Sequence, residues 1–147
     1  MVELERYVTF PLAGKQFALH SSQVQELLMP APLYWFPHTM HSVLGVLMRR
    51  GKVVPVCDLG QVFGVPEEVS FYVVARVNYF GRVEEVALPV DGLCQLVQGD
   101  SSPLSEPEPF VSGRLVTGNT SVPLLDLDRV VEHCIQPVAQ AATEATR

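Results

Sequence analysis

A chain of 147 residues is one domain's worth of sequence, and 48% hydrophobic with 18% charged residues can fill a core and argues against general disorder. A formal net charge of −6 excludes the broad basic face that nucleic acid or an anionic membrane requires. Three cysteines, Cys57, Cys94 and Cys134, are odd in number and far apart, which excludes a disulfide framework and fits a reducing, cytoplasmic compartment.

The first residues, Met1 to Arg6, lack the cationic segment and apolar run of a signal peptide. No apolar stretch approaches the roughly 18 residues that a membrane span needs. From Tyr7 to Leu12, Val8, Phe10 and Leu12 alternate with Tyr7, Thr9 and Pro11, the period of a half-buried strand. Ala13-Gly14-Lys15 is the predicted turn, and Phe17 and Leu19 give the partner strand its inward side. Ser22 with Gln25 three residues on fits a capping box, which predicts a short helix with Val24, Leu27 and Leu28 on one face, ended by Pro30 and Pro32. Tyr34-Trp35-Phe36 is the densest aromatic cluster, a core lid or a partner-facing patch.

Val43 to Arg49 reads as a strand, turned by Gly51-Lys52 into a second, Val53 to Asp58, which feeds a helical turn closed by Gly64. Three of the ten cations, Arg49, Arg50 and Lys52, sit at that one tip. Phe71 to Tyr79 and Val83 to Val90 form the next hairpin around Phe80-Gly81-Arg82, rich in strand-favouring Val, Phe and Tyr. Asp91-Gly92 is a turn, Leu93 to Val97 continues extended or helical, and Ser101 to Pro109 is a proline-rich surface loop. Val111 to Leu115, Ser121 to Asp126 and a short helix Leu127 to His133 come next, and from Pro137 the absence of an apolar face predicts a frayed tail over 137–147.

The pattern around the cationic turn occurs twice. Gly45 and Gly113, Pro55 and Pro123, and Asp58 and Asp126 share one offset, and Ala18 and Ala87 differ from it by a single residue. Two structurally similar halves, about 5–64 and 71–133, are therefore expected within a unit 1–136. Strands dominate and helices are short, so the class is mainly β, each half suiting a small barrel that closes its own edges. The repeat is also an internal control. Its second copy has Thr117-Gly118-Asn119 where the first has its cationic turn, so the charge is a candidate for function, the alternative being a merely solvated tip.

Catalytic signals are weak. His38 and His41 have no Cys, Asp or Glu close by, and a zinc site needs three or four ligands. Cys57 stands beside Asp58, whose charge disfavours a thiolate, and Cys94 and Cys134 have apolar flanks. Asp58 and Asp126 occupy equivalent strand-to-helix junctions and read as caps, not as an acid and base pair. No phosphate loop, dinucleotide fingerprint or nucleophile elbow occurs, so no cofactor and no catalytic residue is expected.

Phe10-x-Leu12, Phe17-Ala-Leu, Val24-x-Glu26-Leu27, Val43-x-Gly45-Val46-Leu47 and Arg50-Gly51-Lys52-Val53-Val54-Pro55-Val56-x-Asp58-Leu59, with Phe63-Gly64, resemble the CheW-like domain family of bacterial chemosensory systems. Ala87-Leu88-x-Val90-Asp91-Gly92 and Gly113 through Pro123-Leu124-Leu125-Asp126-Leu127 extend the likeness from Tyr7 to His133. The resemblance implies a mainly β fold of two SH3-like five-stranded barrels packed on a shared seam. It also implies an adaptor joining the cytoplasmic domain of chemoreceptors to the regulatory domain of a CheA-type histidine kinase. It assigns Arg50 to receptor coupling and Val24, Glu26 and Gly45 to partner contacts, and Arg49 and Lys52 share the same tip. Met48-Arg49 stand where the family has Asn-Leu, and Gly60 where arginine is common, so a pilus-type pathway is as compatible as a flagellar one. Rival readings are an SH3-like module without a kinase partner, taking proline-rich peptides or a small ligand on Tyr34, Trp35 and Phe36, and a cysteine enzyme acting through Cys57.

Overall fold

The computed structural model describes residues 4–34, 43–64, 68–79 and 81–134. Trp35, Phe36, His38, His41, Phe80 and the tail 137–147 lie outside the described residues. In chain order the elements are β1 (Glu5–Leu12), β2 (Lys15–His20), a 3₁₀ turn (Ser21–Gln23), β3 (Val24–Leu28), β4 (Val43–Arg49), β5 (Lys52–Cys57), α1 (Gly60–Phe63), β6 (Phe71–Tyr79), β7 (Arg82–Val90), β8 (Gln95–Ser102), β9 (Val111–Thr117) and β10 (Thr120–Leu125). Residues 127–134 form a further helix, α2.

Two five-stranded sheets result, a closed barrel ordered β1-β2-β10-β9-β8 and a second sheet ordered β3-β6-β7-β5-β4. The expectation that each half closes its own barrel is corrected here, because each sheet draws strands from both halves. The first barrel takes β1 and β2 from the first half and β8 to β10 from the second, and the other sheet takes the remainder. The exchange is made through two parallel contacts, Leu124 with Ala18 between β10 and β2, and Val56 with Ala87 between β5 and β7. These joints are equivalent under the repeat. No tight turn can join parallel neighbours, so the chain supplies them from distant segments.

Pleating divides the side chains among three cores. On β6, Tyr72 and Val74 enter the second sheet's own interior with Leu47, Val54, Val56 and Ala87. Their alternates Val73, Ala75 and Val77 face a larger seam core with Phe10, Leu12, Phe17, Leu19, Val86, Leu88 and Val90. Strands buried on both faces read as continuous apolar runs rather than alternations. For the same reason Tyr7 and Thr9, expected outward, are buried: Tyr7 fills the first barrel with Ala18, Leu115 and Val122. The helix α2 places Leu127, Val130, Val131 and Cys134 on the seam, at the three-and-four spacing of one helical face.

The segment expected as a helix after Ser22 is instead β3, paired antiparallel with β6 from Val24 opposite Ala75 to Leu28 opposite Tyr72. The apparent capping box does not form. The ring of His20 accepts the Ser22 N–H at 3.2 Å and closes a single 3₁₀ turn, and pairing with β6 then holds Val24 to Leu28 extended. The segment from Gln95 is extended, and its strand runs through Ser102, into the stretch expected to be loop.

Asp126 takes the N-cap role expected of it, whereas the N-cap of α1 is Leu59 and Asp58 stands one residue before it. Asp58 Oδ1 accepts the Gly60 N–H at 2.9 Å at the start of α1, and Asp126 Oδ1 accepts the Arg129 N–H at 3.3 Å in α2.

Candidate functional site at the β4–β5 tip

The strands β4 and β5 pair in one register from Gly45 opposite Val56 to Arg49 opposite Lys52, with a shift between Val43 and Gly45, leaving Arg50-Gly51 as a two-residue loop. The turn therefore lies one residue earlier than Gly51-Lys52. Both loop residues have positive φ, +50° for Arg50 and +76° for Gly51, the combination a type I′ hairpin requires. A Cβ at Gly51 would meet nothing within 4 Å, so the glycine answers to torsion and not to space.

The three cations of the tip separate into two environments. Successive strand residues face opposite sides, so Arg49 shares the inner face of β4 with Leu47. There its Nε donates to Glu26 Oε2 at 2.6 Å and its Nη1 to Glu85 Oε2 at 2.7 Å. The hydrogen bond with Glu26 is the chief reason the guanidinium is held more firmly protonated than a free arginine, and the charge of Glu85 adds to it. Glu85 Oε1 is buried with no hydrogen-bond partner. Arg50 and Lys52 are exposed, and Arg50 makes no hydrogen bond or ion pair with any described residue. Met48 and Val53, opposite each other on the outer face, are 54% and 48% exposed. The tip thus presents two uncompensated cations beside two apolar side chains.

The repeat explains why Arg49 and Glu26 meet. In the first barrel β8 pairs with β9, from Asp100 opposite Val116 to Ser102 opposite Arg114. The equivalent pair in the second sheet would be β3 with β4, and no ladder joins them among the described residues. Glu26 on β3 and Arg49 on β4 span that gap with an ion pair instead. The free edge of β4 is also covered at one point, where Tyr34 and Val46 exchange two backbone hydrogen bonds of 2.9 Å.

Gly45 is buried beneath that bridge, at φ +156°. A Cβ there would stand 2.9 Å from Leu33 Cβ and 3.0 Å from the Tyr34 carbonyl oxygen. Its counterpart Gly113 meets the Ser102 carbonyl oxygen at 2.8 Å in the same way. A requirement common to both copies belongs to the fold, so Gly45 shapes the strand edge. Val24 is half-buried against the seam core, and a bulge lies between it and Glu26. The structure therefore brings Glu26 and Arg49 together, leaves Arg50 and Lys52 at the surface, and sets Gly45 and Val24 into the packing. Sequence reasoning misses Met48 and Val53 as surface candidates; their place one residue out of phase with Leu47 and Val54 is the available signal.

Cys57 is fully buried, and its thiol is pushed well up by its hydrogen bond with Cys134 and by burial. Such a group is a poor nucleophile. A thiol reagent added to the native protein is expected to modify half-buried Cys94 first and Cys57 about a hundredfold or more slower, as read by mass spectrometry. Equal rates would restore the case for a reactive Cys57. Among the described residues no group of three or more His, Cys, Asp or Glu could hold a metal ion, and no helix is long and apolar enough to cross a membrane.

Two five-stranded sheets of exchanged strands around one seam, with a charged hairpin at one end, define a module of two SH3-like subdomains, one a closed barrel and the other open between β3 and β4 among the described residues. The CheW-like domain family model matches residues 6–134, and the chain belongs to that family. It is 27% identical over 112 residues to a probable chemotaxis protein CheW of Rhizobium etli, across 74% of this chain and 69% of the other. It is also similar to the crystal structure of the scaffolding protein TtCheW from Thermoanaerobacter tengcongensis, with TM-score 0.67 and 24% identity over 86% of this chain and 87% of that one. That likeness supports the fold.

Proposed function

We propose that this protein is a non-catalytic chemosensory adaptor, joining the cytoplasmic domain of methyl-accepting chemoreceptors to the regulatory domain of a CheA-type histidine kinase. Membership of the CheW-like family and the likeness to a chemotaxis protein support this reading. The adaptor unit is 1–136, it works in the cytoplasm at receptor arrays, and its pathway is flagellar or pilus-type. Arg50 and Lys52 form a cationic rim beside Met48 and Val53, a mixture suited to a partner offering both apolar surface and carboxylates. Arg49, Glu26 and Gly45 hold the hairpin in place from behind, and Val24 packs into the seam.

The carrying observation is Arg50, a non-glycine residue at φ +50° whose side chain is exposed. Left-handed backbone costs an ordinary residue about 1–2 kcal/mol, and asparagine holds it more easily. Ala13 and Phe110 bear the same cost, so what sets Arg50 apart is an exposed charge that no described residue balances.

Arg50→Asn is therefore expected to raise the melting temperature by roughly 3 °C, while weakening pull-down by a receptor cytoplasmic fragment about tenfold. Binding that survives the substitution, or falls only in step with folding, would remove Arg50 from the contact.

A further inference from the structure

The chain crosses between the two sheets where β2 leads into β3 and again where β7 leads into β8. The first crossing is the 3₁₀ turn Ser21–Gln23, and it is held from both sides. Arg76 on β6 donates through Nη2 to the Ser22 carbonyl oxygen at 3.2 Å, and His20 at the end of β2 accepts the Ser22 N–H on Nδ1, also at 3.2 Å. A backbone N–H can only donate, so Nδ1 carries no proton here and the neutral ring keeps its proton on Nε2. The Ser22 hydroxyl, 2.7 Å from Nδ1, donates to it as well. On the other side of the ring Nε2 stands 3.5 Å from Glu5 Oε2, which also accepts the Tyr7 hydroxyl at 3.0 Å. Tyr7 meets the ring edge-on from β1, and Asp100 of β8 is near enough to Tyr7 for its charge to be felt there. The His20 side chain is 36% exposed, so solvent protons reach it.

We propose that His20 is a pH-sensitive clasp on this crossing: a proton at Nδ1 ends the ring's hold on the Ser22 N–H and moves its anchor to Glu5. Serine, threonine, asparagine and aspartate, the usual caps, keep their acceptor at neutral pH. Imidazole gives its acceptor up on taking a proton, which free histidine does near pH ~6.5. With both nitrogens protonated, Nδ1–H and the Ser22 N–H are two donors facing each other, and the new charge draws Nε2–H toward the Glu5 carboxylate. The Ser22 hydroxyl can turn to accept from Nδ1, so it is the backbone amide that loses its acceptor. Arg76 keeps the Ser22 carbonyl, and the turn loosens on the side of the barrel while staying tied to the second sheet. The strand β3 starts at Val24, directly after the turn, and carries Glu26, so the loosened segment is the one that supports Arg49 behind the hairpin.

The test is an NMR titration of the full chain from about pH 8 to about pH 5, following the imidazole nitrogens and the backbone amides. The expected result is an unprotonated Nδ1 in the neutral ring of His20. As that nitrogen takes its proton, the Ser22 amide moves to the shift of an unbonded N–H, and its protection factor falls about tenfold while that of Leu19 in β2 holds. His20→Asn, which caps without titrating, keeps the Ser22 amide protected at every pH, and Glu5→Gln keeps the wild-type response. A neutral ring with its proton on Nδ1, a Ser22 amide that does not follow the ring, or a response that survives His20→Asn or vanishes in Glu5→Gln would overturn the proposal. No partner is needed, so either outcome leaves the adaptor reading to its own test.

Discussion

Leu88→Ala is expected to destabilise the protein by about 2–5 kcal/mol. In a chain of this length that lowers the melting temperature by roughly 10 °C. Leu88 lies on β7 in the second sheet, is fully buried, and packs in the seam with Phe10 and Leu12 of the first barrel. Removing three carbons there leaves a cavity that rigid sheets on both sides cannot close. Because both sheets pack against that one seam core, neither can lose order alone. Unfolding is thus expected in one transition, whether followed by amide exchange in β9 or in β4. Two transitions, or a loss confined to β3 to β7, would show that the sheets are independent.

Gly45→Ala is expected to cost about 1–3 kcal/mol although it adds one methyl group. Its Cβ would stand at 2.9 and 3.0 Å from Leu33 Cβ and the Tyr34 oxygen, and the φ of +156° adds strain of its own. The segment at 33–34 has to retreat, which breaks the paired hydrogen bonds between Tyr34 and Val46. Faster exchange of the Val46 amide, together with a lower melting temperature, is the expected signature. Wild-type exchange at Val46 would mean that the edge accommodates the methyl group and that glycine is kept there for another reason.

How much of the fold is legible in the sequence depends on whether the deciding interaction is local. The hairpins of β1–β2, β4–β5 and β6–β7 can be read because Ala13-Gly14, Arg50-Gly51 and Gly81 lie between runs of strand-forming residues. β3 reads as a helix because an edge strand with no buried side chain need not alternate apolar with polar residues, and Val-Gln-Glu-Leu-Leu does not, while Ser22 and Gln25 imitate a cap. Strand exchange has no local signature at all. The β2–β10 and β5–β7 joints rest on backbone pairing between segments far apart in the chain, and either copy's strands would satisfy the same apolar pattern.

The site is legible to the same degree. Comparing the two turns singles out Arg50 and Lys52, since Gly118-Asn119 closes the matching hairpin without charge and with positive φ at Gly118 alone. Arg49 groups with them because adjacent charges look alike in a sequence, and only the pleat sends it inward to Glu26 and Glu85.

The exchanged strands also set an order of assembly on the ribosome. Everything from β3 to β7 is contiguous, so that sheet has all its parts while the end of the nascent chain is still being made. β1 and β2 emerge first yet must wait as a lone hairpin, marginal in water, until β8, β9 and β10 arrive to enclose them. The earliest-made strands of this fold are therefore among the last to be sheltered.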